Sequence, residues 1–352
     1  MTDVLEKIID AAIHAPSGDN CQPWKFAVKN DNQILVYIIP ERDQSLYSWG
    51  NRASLLAIGA AIENAAIAGK HLGYNISVES FPSGDEPNLV AKLTLTKNDG
   101  VEQNLYSAIF TRCTNRKPYK RQPLAPELVK LFGNDFGGIQ VAKLLMANDS
   151  SEIKKLAKLS SANEKILFEN LLMHQFFYSH INWDAGQELH HREGFYIKTL
   201  EVPAFAMPSF KLAKHWPVLN FLNKLGFANI IASENAKTYN SCSAIGAIGL
   251  VDNSAQSYLA GGRLFEKIWL TATSHGLQLQ PLTGICLLMQ KLINNSAREL
   301  SDTHRKLITE NYGQMQNIFS LKNKTIALLF RIGYGPEPSA RTLRLPPQIL
   351  ER

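Results

Sequence analysis

Hydrophobic residues at helical spacing open the chain and recur along its length. Within residues 3–14, Val4, Ile8 and Ala12 fall on one face of a helix. Pro16 follows this stretch, so we expect the helix to end just before it. The same spacing predicts further helices over residues 55–73, 104–112, 125–132, 150–178 and 255–276.

Runs rich in β-branched and aromatic residues lie between these helices and predict strands. They are WKFAVK (24–29), ILVYIIP (34–40), NISVES (75–80), LVAKLTLTK (89–97), GIQVAKLLMA (138–147), SAIGAIGLVD (243–252) and TIALLFRIGYG (325–335). This mixture of helices and strands predicts an α+β fold.

Two of the predicted helices resemble each other, GAAIENAAIAGKHLG (59–73) and GRLFEKIWLTATSHG (262–276). Three residues recur at identical intervals: Gly59 with Gly262, Glu63 with Glu266, and Gly73 with Gly276. A strand is predicted soon after each helix. Glycines near helix ends also match by chance, but the shared pattern favours an internal repeat. We expect a truncated first repeat over residues 1–103 and a second over 104–352.

Composition narrows the class of protein. Hydrophobic residues make up 45% of the 352 residues and charged residues 19%, which is typical of a globular chain. The net charge of +6 comes from scattered lysines, with no basic run interleaved with aromatics, so we expect no nucleic-acid partner. No apolar run is long enough to span a membrane and no signal peptide is evident. We therefore expect a cytoplasmic protein with no membrane partner.

The four cysteines, Cys21, Cys113, Cys242 and Cys286, form no CxxC pair and have no histidine at metal-ligand spacing. This pattern predicts reduced thiols and no metal site.

The pattern of residues 180–240 predicts no clear helices or strands, because prolines interrupt a stretch rich in aromatic residues. The stretch contains Trp183, His190, His191, Phe195, Tyr196, Phe205, Phe210 and Trp216. One interpretation is an excursion that covers a pocket like a lid. Ordinary packing of aromatic side chains is the alternative.

Two segments contain the chemistry of a binding site. In APSGDNCQPW (15–24), Ser17, Gly18 and Asn20 belong to a tight polar turn that suits the polar edge of a planar ring. In RCTNR (112–116), two arginines flank a threonine, and arginine forks bind phosphate oxygens in pairs. A capped turn and a solvated basic loop are the respective alternatives.

These segments, together with QPLTG (280–284) and RTLRLPP (341–347), resemble in order the motifs of the nitroreductase superfamily. The resemblance implies a three-layer α-β-α fold and bound FMN. It assigns the flavin site to Pro16, Ser17, Gly18, Asn20, Arg112, Cys113, Thr114, Arg116, Pro281, Leu282, Thr283, Gly284, Arg341 and Arg344. Thr114 replaces the usual serine, and Thr342 stands where the family has a first basic residue, which weakens the assignment of Arg341 and Arg344.

Within this resemblance, the arginines hold the phosphate and the two turns hold the ring. A backbone N–H of Thr283 or Gly284 points to the flavin N5. The polar turn occurs only in the first half, and the other motifs occur only in the second. The chain thus resembles the single-chain, two-repeat Acg-like branch, in which fused repeats form an intramolecular pseudo-dimer with one site. Because both repeats belong to one chain, this resemblance implies a monomer or a weak homo-oligomer.

The resemblance implies an FMN-dependent oxidoreductase that takes two electrons from NAD(P)H and passes them to a nitroaromatic, a quinone or a similar small-molecule acceptor. The alternative is a non-catalytic protein that sequesters or stores flavin beneath the aromatic excursion. A third hypothesis is a degenerate fold that binds no flavin and acts as an interaction module. The sequence leaves open the acceptor and the choice between NADH and NADPH.

Overall fold

The computed structural model describes residues 3–82, 86–98, 105–134, 136, 140–322 and 324–350. Its helices are α1 (Asp3–Ile13), α2 (Arg52–His71), α3 (Tyr106–Thr111), α4 (Pro126–Gly133), α5 (Ser150–Glu169), α6 (Leu171–Ser179), α7 (Ala185–His191), α8 (Met207–Leu212), α9 (Trp216–Lys224), α10 (Phe227–Tyr239), α11 (Ala255–Ser274), α12 (Gly284–Ile293) and α13 (Asp302–Ile318). Its strands are β1 (Trp24–Lys29), β2 (Gln33–Ile38), β3 (Tyr74–Ser80), β4 (Leu89–Lys97), β5 (Ala142–Ala147), β6 (Ile181–Asn182), β7 (Phe195–Tyr196), β8 (Ala244–Leu250), β9 (Gln278–Leu282), β10 (Thr325–Gly333) and β11 (Ile349–Leu350). The α+β class is confirmed.

Each half of the chain builds its own sheet. The first has the strand order β11-β1-β2-β4-β3 and the second the order β5-β8-β10-β9. Neighbouring strands are antiparallel, except that β11 runs parallel to β1. Because β11 lies near the end of the chain, the second half reaches back and completes the sheet of the first.

The second sheet has helices on both faces, with α11 on one side and α5 and α12 on the other. All seven residues of β8 are buried, as its uncharged sequence predicts. The first sheet packs Phe26, Ile34 and Val36 into the main core together with α1 and α2.

The two similar helices, α2 and α11, pack against each other at the centre of the molecule. A Cβ atom on Gly59 would lie 2.1 Å from the carbonyl oxygen of Leu259, and one on Gly262 would lie 2.0 Å from that of Leu56. Leu56 lies three residues before Gly59, and Leu259 lies three residues before Gly262. Each glycine therefore contacts the leucine that precedes the other glycine, and the contact is reciprocal. This is the pattern of an isologous interface, and it agrees with two fused repeats that form a pseudo-dimer. The predicted boundary at residues 103 and 104 lies outside the described residues.

Two sequence predictions need correction. The single helix predicted over 150–178 is two helices, because Asn170 adopts an extended conformation and its side chain accepts a hydrogen bond from the Met173 amide as an N-cap. The two helices α12 and α13 were not predicted at all.

The excursion, residues 180–240, is mostly helical and forms α7 to α10 with the two short parallel strands β6 and β7. It has a small hydrophobic core of its own, shared with α5 and α6, in which Leu219 and Ile197 are buried. It is therefore a packed subdomain rather than a loop.

Candidate active site

A cavity of about 830 Å³ lies where the two halves and the excursion meet, within the size range of small-molecule sites. Three of the sequence motifs contribute to its wall. These residues are Pro16, Ser17, Gly18 and Asp19 from the first half, and Thr114, Arg116, Pro281, Leu282, Thr283 and Gly284 from the second. Segments more than 260 residues apart in sequence thus share one cavity.

The polar turn is held in a strained conformation. Asp19, Asn20 and Gln22 have φ values of 48°, 53° and 48°, in the left-handed region that few side chains adopt. The turn is fixed because the backbone N–H of Gln22 donates a hydrogen bond to Ser17 Oγ at 3.0 Å. Strained backbone of this kind concentrates at functional sites.

Gly18 is the most open point of the turn. A Cβ atom at this position would meet no atom within 4 Å. Because Gly18 also lines the cavity, the backbone here can be approached closely by a ligand.

Asn20 belongs to the turn but does not line this cavity. Its buried side chain donates to the carbonyls of Arg192 at 3.0 Å and Leu343 at 3.1 Å, and it accepts from Arg344 Nη1 at 2.7 Å. Asn20 therefore joins the turn to the excursion and to the C-terminal segment.

Arg112 also lies outside the cavity wall. Its side chain is 3% exposed, faces Glu266 at 3.2 Å, donates to the carbonyl of His14 at 2.6 Å and stacks over Trp269. Burial raises the pKa of Glu266 to about 7, and the positive charge of Arg112 opposes that shift. Arg112 thus supports the turn from below, by binding the backbone at its start.

Arg344 sits behind the same turn and donates to the carbonyl of Ala15 at 3.2 Å. Its Nε is buried without a partner among the described residues. Burial, reinforced by neighbouring Arg112, lowers the pKa of Arg344 to about 10. The positive charges of Arg112 and Arg344 are therefore close together behind the turn, and Arg344 Nε is a donor without a partner among the described residues.

Arg341 and Cys113 do not line this cavity either. Arg341 is exposed and pairs loosely with Glu337 at 3.7 Å. The Cys113 thiol contacts the carbonyl of Ala340 at 3.8 Å, and burial raises its pKa. Burial also raises the pKa of the Cys21 thiol. Raised pKa values favour the unreactive thiol, so neither cysteine has the properties of a nucleophile.

Arg116 is the arginine of the RCTNR segment that does line the cavity. Its Nη1 donates to the carbonyl of Thr199 at 2.9 Å, and its guanidinium lies over the Phe195 ring. Lys117 lines the cavity beside it. This basic corner can bind an anionic group.

The QPLTG segment is the end of a strand and the start of a helix rather than a free turn. Its first three residues belong to β9, Thr283 is the N-cap of α12, and Gly284 is the first helical residue. The partial positive charge of a helix N-terminus therefore faces the cavity. A Cβ atom on Gly284 would lie 2.0 Å from Asn163 Oδ1, so glycine is required for Asn163 to approach.

A polar cluster on α5 and α10 was missed by the sequence analysis. Tyr239 donates to Glu164 Oε1 at 2.8 Å, and Tyr47 donates to Asn163 Oδ1 at 2.9 Å. Glu164 Oε2 is buried with no partner among the described residues. Burial raises the pKa of Glu164 to about 7 and that of Asp19, across the cavity wall, to about 6. No local pattern could have revealed Glu164, because its partner follows 75 residues later.

The excursion forms one wall of the cavity with Phe195, Phe205, Phe210 and Phe227. It is tied to the turn, because the Gly194 amide donates to the carbonyl of Asp19 at 3.0 Å. The other aromatic residues of the excursion have different roles. Trp183, His191 and Trp216 line a separate cavity, and both His190 and His191 are exposed.

Among the described residues, no cluster of three or more His, Cys, Asp or Glu side chains could hold a metal ion, and no helix is long and apolar enough to cross a membrane.

Comparison with known proteins supplies the remaining evidence. No family model matches the chain. An uncharacterized protein of Mycobacterium tuberculosis (strain CDC 1551 / Oshkosh) is 24% identical over 343 residues, which cover 96% of this chain and 47% of that protein. The "Putative NAD(P)H nitroreductase acg" of the same strain is 29% identical over 127 residues, covering 35% of this chain and 38% of that protein.

These relatives confirm the predicted resemblance to Acg-like nitroreductases. The chain spans about half the length, or less, of the curated relatives that it matches. Among solved structures, nitroreductase A from Vibrio parahaemolyticus RIMD 2210633 aligns with a TM-score of 0.37 and 12% identity, covering 70% of this chain and 72% of that one.

Proposed function

We propose that the chain is an FMN-dependent oxidoreductase of the nitroreductase type, which passes two electrons from NAD(P)H to a nitroaromatic, a quinone or a similar acceptor. The observation that supports this most strongly is the convergence of the polar turn, Arg116 and the start of α12 on one cavity. A second support is the similarity to the acg nitroreductase.

The residues around the cavity fit the parts of FMN. Arg116 and Lys117 would bind the phosphate, which pairs well with a guanidinium fork. Arg112 and Arg344 would act from behind the turn, by fixing its backbone and by adding positive charge. Arg344 Nε, which has no partner among the described residues, is a further donor. Gly18 offers an open backbone for the ring. These assignments give Arg116 a direct role and Arg112 and Arg344 indirect roles, and they leave Arg341 without a role.

FMN, when bound, supplies the two-electron chemistry, and the protein supplies orientation, electrostatics and protons. The backbone N–H groups at Thr283 and Gly284 would donate to the polar edge of the ring, assisted by the N-terminus of α12. Glu164 holds a proton close to neutral pH at a carboxyl whose Oε2 is unpartnered. Phe195, Phe210 and Phe227, which are half-buried, would shield this wall of the cavity from water.

The same proposal includes the division into repeats over 1–103 and 104–352, a monomer that contains both halves of the site, and a cytoplasmic location. It requires no partner subunit, because both halves of the site lie in one chain.

A second candidate function is flavin sequestration, and a specific contact favours it. The excursion is bound to the turn through Gly194 and to the C-terminal segment through Glu188, whose Oε1 accepts from the Leu343 amide at 2.6 Å. A cover held by these two contacts would prevent a nicotinamide from stacking on the ring.

An anaerobic visible spectrum of the purified protein, before and after NADPH and then NADH, separates these candidates. We expect a yellow protein with close to one FMN per chain that bleaches promptly with one of the nucleotides. A yellow protein that bleaches only with dithionite would replace the reductase with sequestration. A colourless protein that cannot be reconstituted with FMN would contradict both.

A further inference from the structure

One part of the excursion, residues 202–233, has an unusual charge pattern. It contains no aspartate or glutamate, although the chain has 31 acidic residues among 352. It contains Lys211, Lys214 and Lys224, and none of the three forms an ion pair within the described residues. This surface therefore presents positive charge without compensating acids of its own.

The same stretch exposes large hydrophobic side chains. Fifteen such side chains are exposed among the described residues, and five of them lie in this stretch, which is less than a tenth of the chain. They are Phe205, Leu212, Phe221, Leu225 and Ile230, with Phe205 89% and Leu225 70% exposed. Exposed apolar side chains that share one face are typical of an interaction surface.

Helix α9 shows how the two features combine. Phe221 and Leu225 are four residues apart, so they share one face, and Lys224 lies next to them. Leu219 points the other way and is fully buried in the small core of the excursion. The helix is thus amphipathic, and its outer face mixes apolar and basic groups.

The acidic residues that border the stretch are already engaged. Glu201 accepts hydrogen bonds from the amide and hydroxyl of Ser339, and Glu234 pairs with Lys237 at 2.6 Å. Neither Glu201 nor Glu234 therefore neutralises the lysines of the stretch.

We propose that residues 202–233 dock on an anionic lipid surface. Apolar side chains flanked by lysines, with few acids, are the composition of segments that lie in the membrane interface. The lysine heads would reach the lipid phosphates, while Phe221 and Leu225 would enter the acyl boundary. Such docking needs no spanning helix, and it does not depend on the proposed flavin chemistry. A second copy of this chain is the competing occupant, but this surface has no acids with which to receive its own lysines.

Co-sedimentation of the full chain with vesicles tests the proposal. We expect binding to vesicles of equal phosphatidylglycerol and phosphatidylcholine, and at least about tenfold weaker binding to phosphatidylcholine alone. Binding should weaken further as NaCl is raised. Equal binding to both vesicles, or to neither, would overturn the proposal.

Three double variants locate the contact. Phe221→Ser with Leu225→Ser should weaken binding at least about tenfold. Val251→Ser with Ile293→Ser removes apolar side chains elsewhere that are 48% and 52% exposed, and should change binding less than about twofold. Circular dichroism and urea unfolding report whether each variant remains folded. Lys211→Gln with Lys224→Gln, which deletes no apolar contact, should weaken binding about tenfold. If the wild type dimerises without lipid and Phe221→Ser with Leu225→Ser makes it monomeric, the surface belongs to a second copy and the lipid proposal is wrong.

Discussion

The halves of this chain meet at several contacts, and two of these contacts differ in symmetry. At the α2–α11 contact, Gly59 and Gly262 play the same part, and each lies against a backbone carbonyl of the opposite helix. At the cavity, the first half supplies a strained polar turn and the second supplies Arg116, the start of α12 and the excursion. The symmetric contact has the close backbone packing of a core, whereas the asymmetric one encloses an open cavity beside backbone with positive φ values. The difference indicates that the symmetric contact holds the fold together and the asymmetric one is available for chemistry.

The largest expected effect is at the symmetric contact. Gly262→Ala would place a Cβ atom 2.0 Å from a backbone oxygen that cannot move aside without separating the helices. We expect a loss of about 4 kcal/mol or more in the free energy of unfolding, measured with urea. Gly313→Ala in α13, where a Cβ would meet nothing within 4 Å, is the matched control and should be neutral or slightly stabilising. A small loss for Gly262→Ala would mean that the helices are not this close.

The next effect concerns the buried pair beneath the turn. Arg112→Met leaves Glu266, which is fully buried, without its cation, and should cost about 3 kcal/mol at pH 8. The cost should fall as the pH is lowered, because Glu266 then becomes neutral. Combining Arg112→Met with Glu266→Met should recover most of the lost stability, as measured by urea unfolding. A double variant no more stable than Arg112→Met would show that the pair is not coupled.

These two contacts also show what the sequence could and could not predict. The helix repeat was visible because glycine and glutamate recur at fixed intervals, and its packing follows from that spacing. The convergence of the turn, Arg116 and Thr283 was predicted only through the resemblance, since no local pattern links residues so far apart. The motifs did not indicate that Arg112 and Asn20 bind backbone around the turn, because a motif gives the residue type and not the direction of its side chain.

A third prediction separates the polar cluster from the rest of the cavity. Because the pKa of Glu164 is raised to about 7, the folded protein binds more protons than the unfolded chain between the ordinary glutamate pKa and 7. Stability therefore falls as the pH rises through that window. Glu164→Gln removes this contribution, so the loss of unfolding free energy between pH 5 and pH 8 should be about 2 kcal/mol smaller than in the wild type. Urea unfolding at both pH values measures it, and Asp19 contributes equally to both proteins. An unchanged pH dependence would mean that Glu164 is ionised in the folded state.

The smallest effect tests whether the asymmetric contact is a flavin site. Gly18→Ala adds a methyl group that meets no protein atom within 4 Å, so the unfolding free energy should change by less than about 0.5 kcal/mol. The methyl group would enter the space that the ring is proposed to occupy, and FMN affinity should fall about tenfold, which corresponds to about 1.4 kcal/mol. Fluorescence titration of the flavin-free protein measures this affinity, with Gly313→Ala as a variant that should bind FMN normally. Unchanged affinity in a folded Gly18→Ala variant would remove the turn from the binding site, even if the protein binds FMN. Because the same addition costs so much at Gly262 and so little at Gly18, the two glycines distinguish a residue needed for packing from one needed for a ligand.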